Sequence, residues 1–163
     1  MTVRVMDIVD GTIVDGPGLR TSVYTAGCAH ACPGCHNQAT WPFDAGKDMS
    51  VDDIMDRIIA NGDNVTFSGG DPMYQAKNLL PLAKRIKAEG MSLWCYTGYC
   101  FEELLEIPHC RALLDFVDVL VDGPYVEARR DPALRFRGSY NQLIFDVPAS
   151  LREGSGVELT RYY

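Results

Sequence analysis

The sequence predicts an α/β fold: a parallel sheet built from βα units and left open as a partial βα barrel. Three observations carry this. Short runs rich in β-branched and aromatic residues alternate with amphipathic segments, the pattern of strands joined by crossover helices. Glycine-rich or polar turns follow four of those runs, beginning at Gly27, Gly69, Thr97 and Asp122. Parallel βα folds gather their sites at the carboxyl ends of their strands, so the four turns point to one shared site. The chain has 163 residues, too few for a closed eight-stranded barrel of roughly 250.

The first strand is Thr21–Ala26, ended by Gly27. A cysteine-rich loop follows, then a turn-rich stretch from Pro42 to Lys47. Ser50 caps a helix that runs to Asn61, with Asp53 three residues on as a partial capping box. Val51, Ile54, Met55, Ile58 and Ile59 recur at the spacing of one helical face, which makes Met55 a core residue rather than a ligand. Asn61-Gly62 stops that helix. Val65–Ser68 is the second strand and leads into Gly69-Gly70-Asp71-Pro72. A helix over Leu80–Glu89 tolerates Pro81 in its first turn and ends at Gly90. Ser92–Tyr96 is the third strand, followed by short helical pieces at Phe101–Leu105 and Arg111–Leu114. Phe116–Val121 and Gln142–Val147 complete the strands. One domain therefore spans residues 1–152, and the tail 153–163, with its Gly154-Ser155-Gly156, is peripheral.

The chemistry concentrates in Gly27-Cys28-Ala29-His30-Ala31-Cys32-Pro33-Gly34-Cys35-His36-Asn37. Three thiols spaced C-x3-C-x2-C let one loop aim all three sulfurs at a single centre. A four-iron cluster on three thiolates keeps one iron free for a substrate, which points to redox chemistry there. The same residues with His30 or His36 also suit a structural Cys3His zinc site, although zinc sites usually come as two separated pairs. Cys95, Cys100 and Cys110 match no metal spacing and read as small buried apolar residues. Gly69-Gly70 reads either as a tight strand-to-helix turn or as a place where a ligand approaches the backbone. Asp71 either adds charge there or caps the next helix.

Composition narrows the classes. Apolar residues make up 47% of the chain, enough for a sizeable core. The net charge of −7 argues against non-specific nucleic-acid binding, which needs cations to replace phosphate counterions. No stretch approaches the ~18 apolar residues of a membrane span, and the N-terminus lacks a secretory apolar core, so a cytoplasmic protein with reduced thiols is expected.

Together, Cys28/Cys32/Cys35 and Ser68-Gly69-Gly70-Asp71-Pro72 resemble the radical S-adenosylmethionine superfamily. Further stretches are similar to its branch that activates the anaerobic (class III) ribonucleotide reductase: Asp15–Arg20, Thr40-Trp41, Thr97-Gly98-Tyr99, Val119–Gly123 and Arg137-Gly138-Ser139 with Asn141-Gln142. The resemblance covers residues 7–147. It implies a partial barrel of the radical-SAM type, a [4Fe-4S] cluster on Cys28, Cys32 and Cys35, and S-adenosyl-L-methionine at the free iron. Gly34, Cys35 and His36 would pass the adenine or methionine part, Gly69 and Gly70 would receive the methionine amine, and Asp71 would add charge. Asp122 is a weaker candidate for the ribose or carboxylate side. Asp15–Gly18 and Arg137–Ser139 would shape the opening for the partner. The implied reaction takes one electron from flavodoxin, ferredoxin or a similar low-potential donor. It cleaves S-adenosylmethionine to methionine and a 5′-deoxyadenosyl radical, which takes a hydrogen from a glycine of the reductase. No side chain is assigned as general acid or base. This chain departs from many superfamily members in having Gly34 where an aromatic residue is common and His36 where tyrosine is frequent. Two other readings stand beside it: an activase of another glycyl-radical enzyme such as pyruvate formate-lyase, and a non-catalytic zinc-stabilised binding module.

Overall fold

Seven strands form one sheet in the order β3-β1-β2-β4-β5-β6-β7 in the computed structural model, which describes all of residues 1–163. The strands are β1 (Thr2–Thr12), β2 (Arg20–Thr25), β3 (Lys47–Ser50), β4 (Asn64–Gly69), β5 (Leu93–Tyr96), β6 (Val119–Asp122) and β7 (Leu143–Asp146). The helices are α1 (Val51–Asn61), α2 (Ala76–Ala88), α3 (Phe101–Leu105), α4 (Pro108–Leu114) and α5 (Val147–Glu153).

The wholly parallel sheet expected from sequence is corrected to a mixed one. β2, β4, β5 and β6 are parallel neighbours. β1 pairs antiparallel with both β2 and β3, and β7 antiparallel with β6. Connection length explains the edges. A parallel return needs a crossover of a dozen or more residues, usually helical. Residues 13–19 are too few for one, and residues 123–142 contain only a single 3-10 turn. The sheet does not close, because β3 and β7 remain its edges.

β1 went unread because its alternation breaks. Val3 and Val5 face the core, then a register shift between Val5 and Asp7 puts Ile8, not Asp7, on the buried side. α1 matches its sequence signals. Ser50 Oγ accepts from Asp53 N at 3.0 Å, and Gly62 ends the helix at φ 78°. Ile54, Met55 and Ile58 are buried, whereas Ile59 is exposed. α2 begins at Ala76, a turn earlier than expected, so Pro81 lies inside it. An interior proline costs about 3 kcal/mol. Burial of Leu79, Leu82 and Ile86 on the same helix offsets this at roughly 2 kcal/mol each. α5 follows β7 directly: Asp146 accepts from Ala149 N at 2.9 Å, and Gly154 stops the helix in the left-handed region.

The two faces of the sheet differ. The outer face packs Val23, Phe67, Leu93, Cys95 and Leu120 against the helices in the main core. The inner face is apolar on β5 to β7, where Trp94, Val119, Val121 and Ile144 meet Phe136, Leu159 and Tyr162. It is polar at β2 and β4. There the buried Arg20 donates from Nε to Thr66 Oγ1 at 2.8 Å and from a terminal nitrogen to the Val65 carbonyl at 2.7 Å. Residues 157–163 are not peripheral. Leu159 N donates to the Ile144 carbonyl, Asp146 N donates to the Val157 carbonyl, and the Tyr162 ring meets Trp94 edge to face at 5.4 Å. Without a closing strand the inner apolar face needs cover, and the tail supplies it.

Candidate cofactor site

The expected site turns converge at the carboxyl ends of β2, β4, β5 and β6. They enclose a cavity of about 160 Å³ lined by Cys28, Cys32, Cys35 and His30 on one side and Ser68, Gly69, Gly70, Thr97 and Gly98 on the other. Gly123, Tyr125 and Gln142 reach its rim.

The cysteine loop is tied down at its base. Gly27 N donates to the Thr40 carbonyl at 2.7 Å and Cys28 N to the Trp41 carbonyl at 3.1 Å. Gly69 and Gly70 bring the end of β4 onto it. A Cβ on Gly69 would stand 2.3 Å from Thr25 N, and one on Gly70 would stand 2.6 Å from the Gly27 carbonyl oxygen. In their absence, Gly70 N donates to the Thr25 carbonyl at 2.8 Å and Asp71 N to the Gly27 carbonyl at 2.9 Å. The double glycine is thus both a tight turn and one wall of the cavity.

Asp71 lies beneath this wall rather than on it. It is 1% exposed, and its Oδ1 accepts from Met73 N, the capping role, at 2.9 Å. Its Oδ2 accepts from Thr97 Oγ1 and Gly98 N, both at 2.9 Å, and stands 2.6 Å from His30 Nε2. One carboxyl group therefore joins the loops after β2, β4 and β5. The hydrogen bond to Asp71 holds the His30 pKa above its ordinary value, against the opposing effect of burial. From sequence, His30 stands only as a candidate zinc ligand. Its pairing with Asp71 lies 41 positions away, and no local signal announces it.

The remaining site candidates separate. Cys35 lines the cavity, and its sulfur accepts from Asn37 N at 3.4 Å. Gly34 lies outside the lining, against Glu127, and His36 lines an adjoining groove, 5.8 Å from the Tyr125 ring. Asp122 is buried and accepts from Phe101 N at 2.8 Å and Leu143 N at 3.3 Å, joining α3 to β7. Burial pushes its carboxyl up to about 6. Cys95 and Cys110 are buried as expected, whereas Cys100 is exposed at the start of α3. Arg137, Gly138, Ser139 and Gln142 form a knitted turn. Gln142 Oε1 accepts from Gly138 N at 2.8 Å, and its Nε2 donates to the Gly123 carbonyl at 3.1 Å.

The donor set suits an iron–sulfur cluster. The three thiols line one side of a single cavity, and three thiolates are the set that would hold a cluster with one iron left open. Burial pushes the Cys28 thiol up to about 11, with Asp71, Cys32 and Cys35 adding to the rise. A cationic iron centre would supply the positive charge needed to hold such a thiol as thiolate.

A family model described as a 4Fe-4S single cluster domain matches residues 14–145. A protein of Haemophilus influenzae named anaerobic ribonucleoside-triphosphate reductase-activating protein is 39% identical over 144 residues, 81% of this chain and 90% of that one. Its namesake from Escherichia coli K12 is also 39% identical, over 81% of this chain and 91% of the relative. The namesake from phage T4 is 32% identical, over 81% and 86%. Among solved structures, QueE from Escherichia coli superposes with a TM-score of 0.52 at 20% identity, over 60% of this chain and 53% of that one, a likeness of fold.

Proposed function

Because the chain belongs to the anaerobic ribonucleoside-triphosphate reductase-activating proteins, we infer that its cavity holds a [4Fe-4S] cluster on Cys28, Cys32 and Cys35 and binds S-adenosyl-L-methionine beside it. The observation that supports this is the position of the three thiols on one side of a single cavity, with Gly69-Gly70 on the other. When bound, the pair would supply one-electron reductive cleavage of the sulfonium, to methionine and a 5′-deoxyadenosyl radical able to take a hydrogen from a glycine of the reductase.

The chain's own residues bind, orient and shield. The Gly69-Gly70 edge, able to pack on Thr25 and Gly27 because it has no Cβ atoms, presents backbone to a ligand amine across the cavity. Asp71 supports that edge from below and adds its charge through the Gly98 amide and His30. His30, Tyr74 and Tyr99 pack ring against ring behind the loop and keep water from its inner side. His36 and Gly34 act from the outer rim. We read the open mixed sheet, with its parallel β2, β4, β5 and β6, as a partial βα barrel of the radical-SAM type. The electron comes from a low-potential donor such as flavodoxin or ferredoxin. No helix is long and apolar enough to cross a membrane. The 4Fe-4S family match favours this reading over a zinc module, and the relatives' names favour it over a pyruvate formate-lyase activase.

The test is anaerobic. The protein is reconstituted with iron and sulfide, metals are counted, and dithionite with S-adenosylmethionine is followed for 5′-deoxyadenosine. The glycyl radical is then read by electron paramagnetic resonance after the reductase is added. Iron near four per chain, 5′-deoxyadenosine and a radical on the reductase are expected. Stoichiometric zinc with no cleavage would overturn the assignment.

A further inference from the structure

The 4Fe-4S family match covers residues 14–145, so the tail that closes the inner face lies outside it. Two lines of contact nevertheless run from this tail to the cofactor cavity. The first begins at Tyr162. Its ring meets Phe136 at 5.6 Å and Trp94 at 5.4 Å, and Phe136 meets Trp94 at 5.5 Å, each edge to face. Phe136 holds φ 61°. The left-handed region is unfavourable for a bulky side chain and persists only where the surroundings over-determine it. Trp94 and Tyr162 provide that packing. In this conformation the Phe136 carbonyl accepts from the Tyr96 hydroxyl at 2.7 Å, and Tyr96 lines the cavity.

The second begins at Tyr163. Its hydroxyl accepts from Ile144 N at 3.2 Å and donates to Glu158 Oε1 at 2.8 Å, which fixes the ring. The Arg137 guanidinium lies 4.0 Å from the centre of that ring. Arg137 Nε is shielded from water and lacks an acceptor, so the guanidinium is held by the ring and by the Tyr140 and Gln142 carbonyls, at 3.4 and 2.7 Å. The Gln142 side chain in turn holds the Gly123 carbonyl, and both residues line the cavity. Covering Trp94 needs Tyr162 alone. Tyr163 stays 48% exposed, yet its hydroxyl and its ring are both engaged. That arrangement fixes a cation rather than fills a core.

We propose that the tail is part of the cofactor site. Tyr162, through Phe136, and Tyr163, through Arg137, are positioning residues that fix Tyr96 and Gln142 where the cavity needs them. A lining fixed in advance has less ordering to do when its ligand enters. The inference rests on the reading of this cavity as the S-adenosylmethionine site.

The experiment uses the full reconstituted chain with its cluster left unreduced, so that S-adenosylmethionine binds without being cleaved. The dissociation constant is measured by anaerobic equilibrium dialysis, and iron per chain is counted on the same samples. Tyr162→Ala and Tyr163→Ala each raise the dissociation constant about tenfold, the scale of one displaced polar contact, with iron unchanged. Tyr163→Phe, which keeps the ring on Arg137, raises it much less. Arg137→Ala matches Tyr163→Ala, and the double variant binds no more weakly than either, because the two residues act as one link. Ile86→Val, a truncation in the core on the other face of the sheet, lowers stability and leaves the dissociation constant unchanged. An unchanged dissociation constant in either tyrosine variant overturns the proposal for that tyrosine, and in both overturns it entirely. Equal weakening in Ile86→Val overturns it too, since general loss of stability would then explain the effect. So does a loss of iron that parallels the lost binding, which would place the tail's action at the cysteine loop. Should Tyr162→Ala not fold, Tyr163→Ala and the double variant decide alone. Absence of binding in the unsubstituted protein would instead sink the S-adenosylmethionine reading of the cavity.

Discussion

His30 Nε2 lies 2.6 Å from Asp71 Oδ2, and this contact fastens the cysteine loop to the end of β4. The same oxygen accepts from Thr97 Oγ1 and Gly98 N. Asp71→Asn offers one oxygen where four donors need two, and its amide nitrogen faces other donors. The variant is expected to lose about 3 kcal/mol of stability, the scale for removing one partner of a buried charged network. His30→Ala, at a partly exposed position, is expected to lose about 1 kcal/mol. Urea unfolding of the metal-free protein measures both, and a loss under 1 kcal/mol in Asp71→Asn would rule out its role as the joint of three loops.

Gly69 adopts φ 110°, with Thr25 backbone atoms where a Cβ would stand. Gly69→Ala therefore meets a steric block as well as a conformational one and is expected to cost more than about 2 kcal/mol. It should also lower iron retention after reconstitution. Gly62 has a similar left-handed φ of 78° but open space around it. Gly62→Ala should cost only about 1 kcal/mol and leave iron content unchanged. Equal effects of the two substitutions would show that close approach to the loop is unimportant.

The buried Asp122 carboxyl, pushed up to about 6, binds its proton more tightly in the folded chain than in the unfolded one. With an unfolded value near 3.9, its contribution is fully present below about pH 4. It is lost as pH rises to about 6 and is level above that, a change of about 3 kcal/mol. Unfolding free energies of the parent protein and Asp122→Asn should therefore diverge across that window. The Asn oxygen can still accept from Phe101 N. Parallel pH profiles would show that Asp122 titrates normally.

Replacing Cys28, Cys32 or Cys35 by Ala should abolish 5′-deoxyadenosine formation and remove the brown cluster absorbance. Cys100→Ala, at an exposed position, should change neither. Cys95→Ala and Cys110→Ala should retain activity while losing about 1 kcal/mol of stability, as small core truncations do. Full activity after loss of Cys32 would refute the ligand assignment.

Tyr162 covers Trp94 and Phe136 on the inner face at centroid distances of 5.4 and 5.6 Å. Tyr162→Ala should lower stability by about 2 kcal/mol through lost apolar and ring contacts. Thermal melting would detect it, and an unchanged midpoint would return the tail to the periphery.

What the sequence determined by itself was local. Cap and stop residues placed α1, the C-x3-C-x2-C spacing located the thiols, and the turns at Gly69, Thr97 and Asp122 marked the end of the sheet that bears the site. These signals span only a few residues, so no partner is needed to read them. Tertiary structure decided the rest. Strand direction is absent from an apolar run, so the antiparallel placement of β1, β3 and β7 emerged only from pairing. Pro81 looked like a helix start until the burial of Leu79, Leu82 and Ile86 showed why the helix begins earlier. The Gly-Ser-Gly tail looked peripheral until an open sheet edge and an uncovered Trp94 gave it a place to pack. His30 and Asp71, ordinary residues far apart in the chain, became one joint because folding buries the Asp71 carboxyl, which then needs donors, and brings the partly exposed His30 within reach.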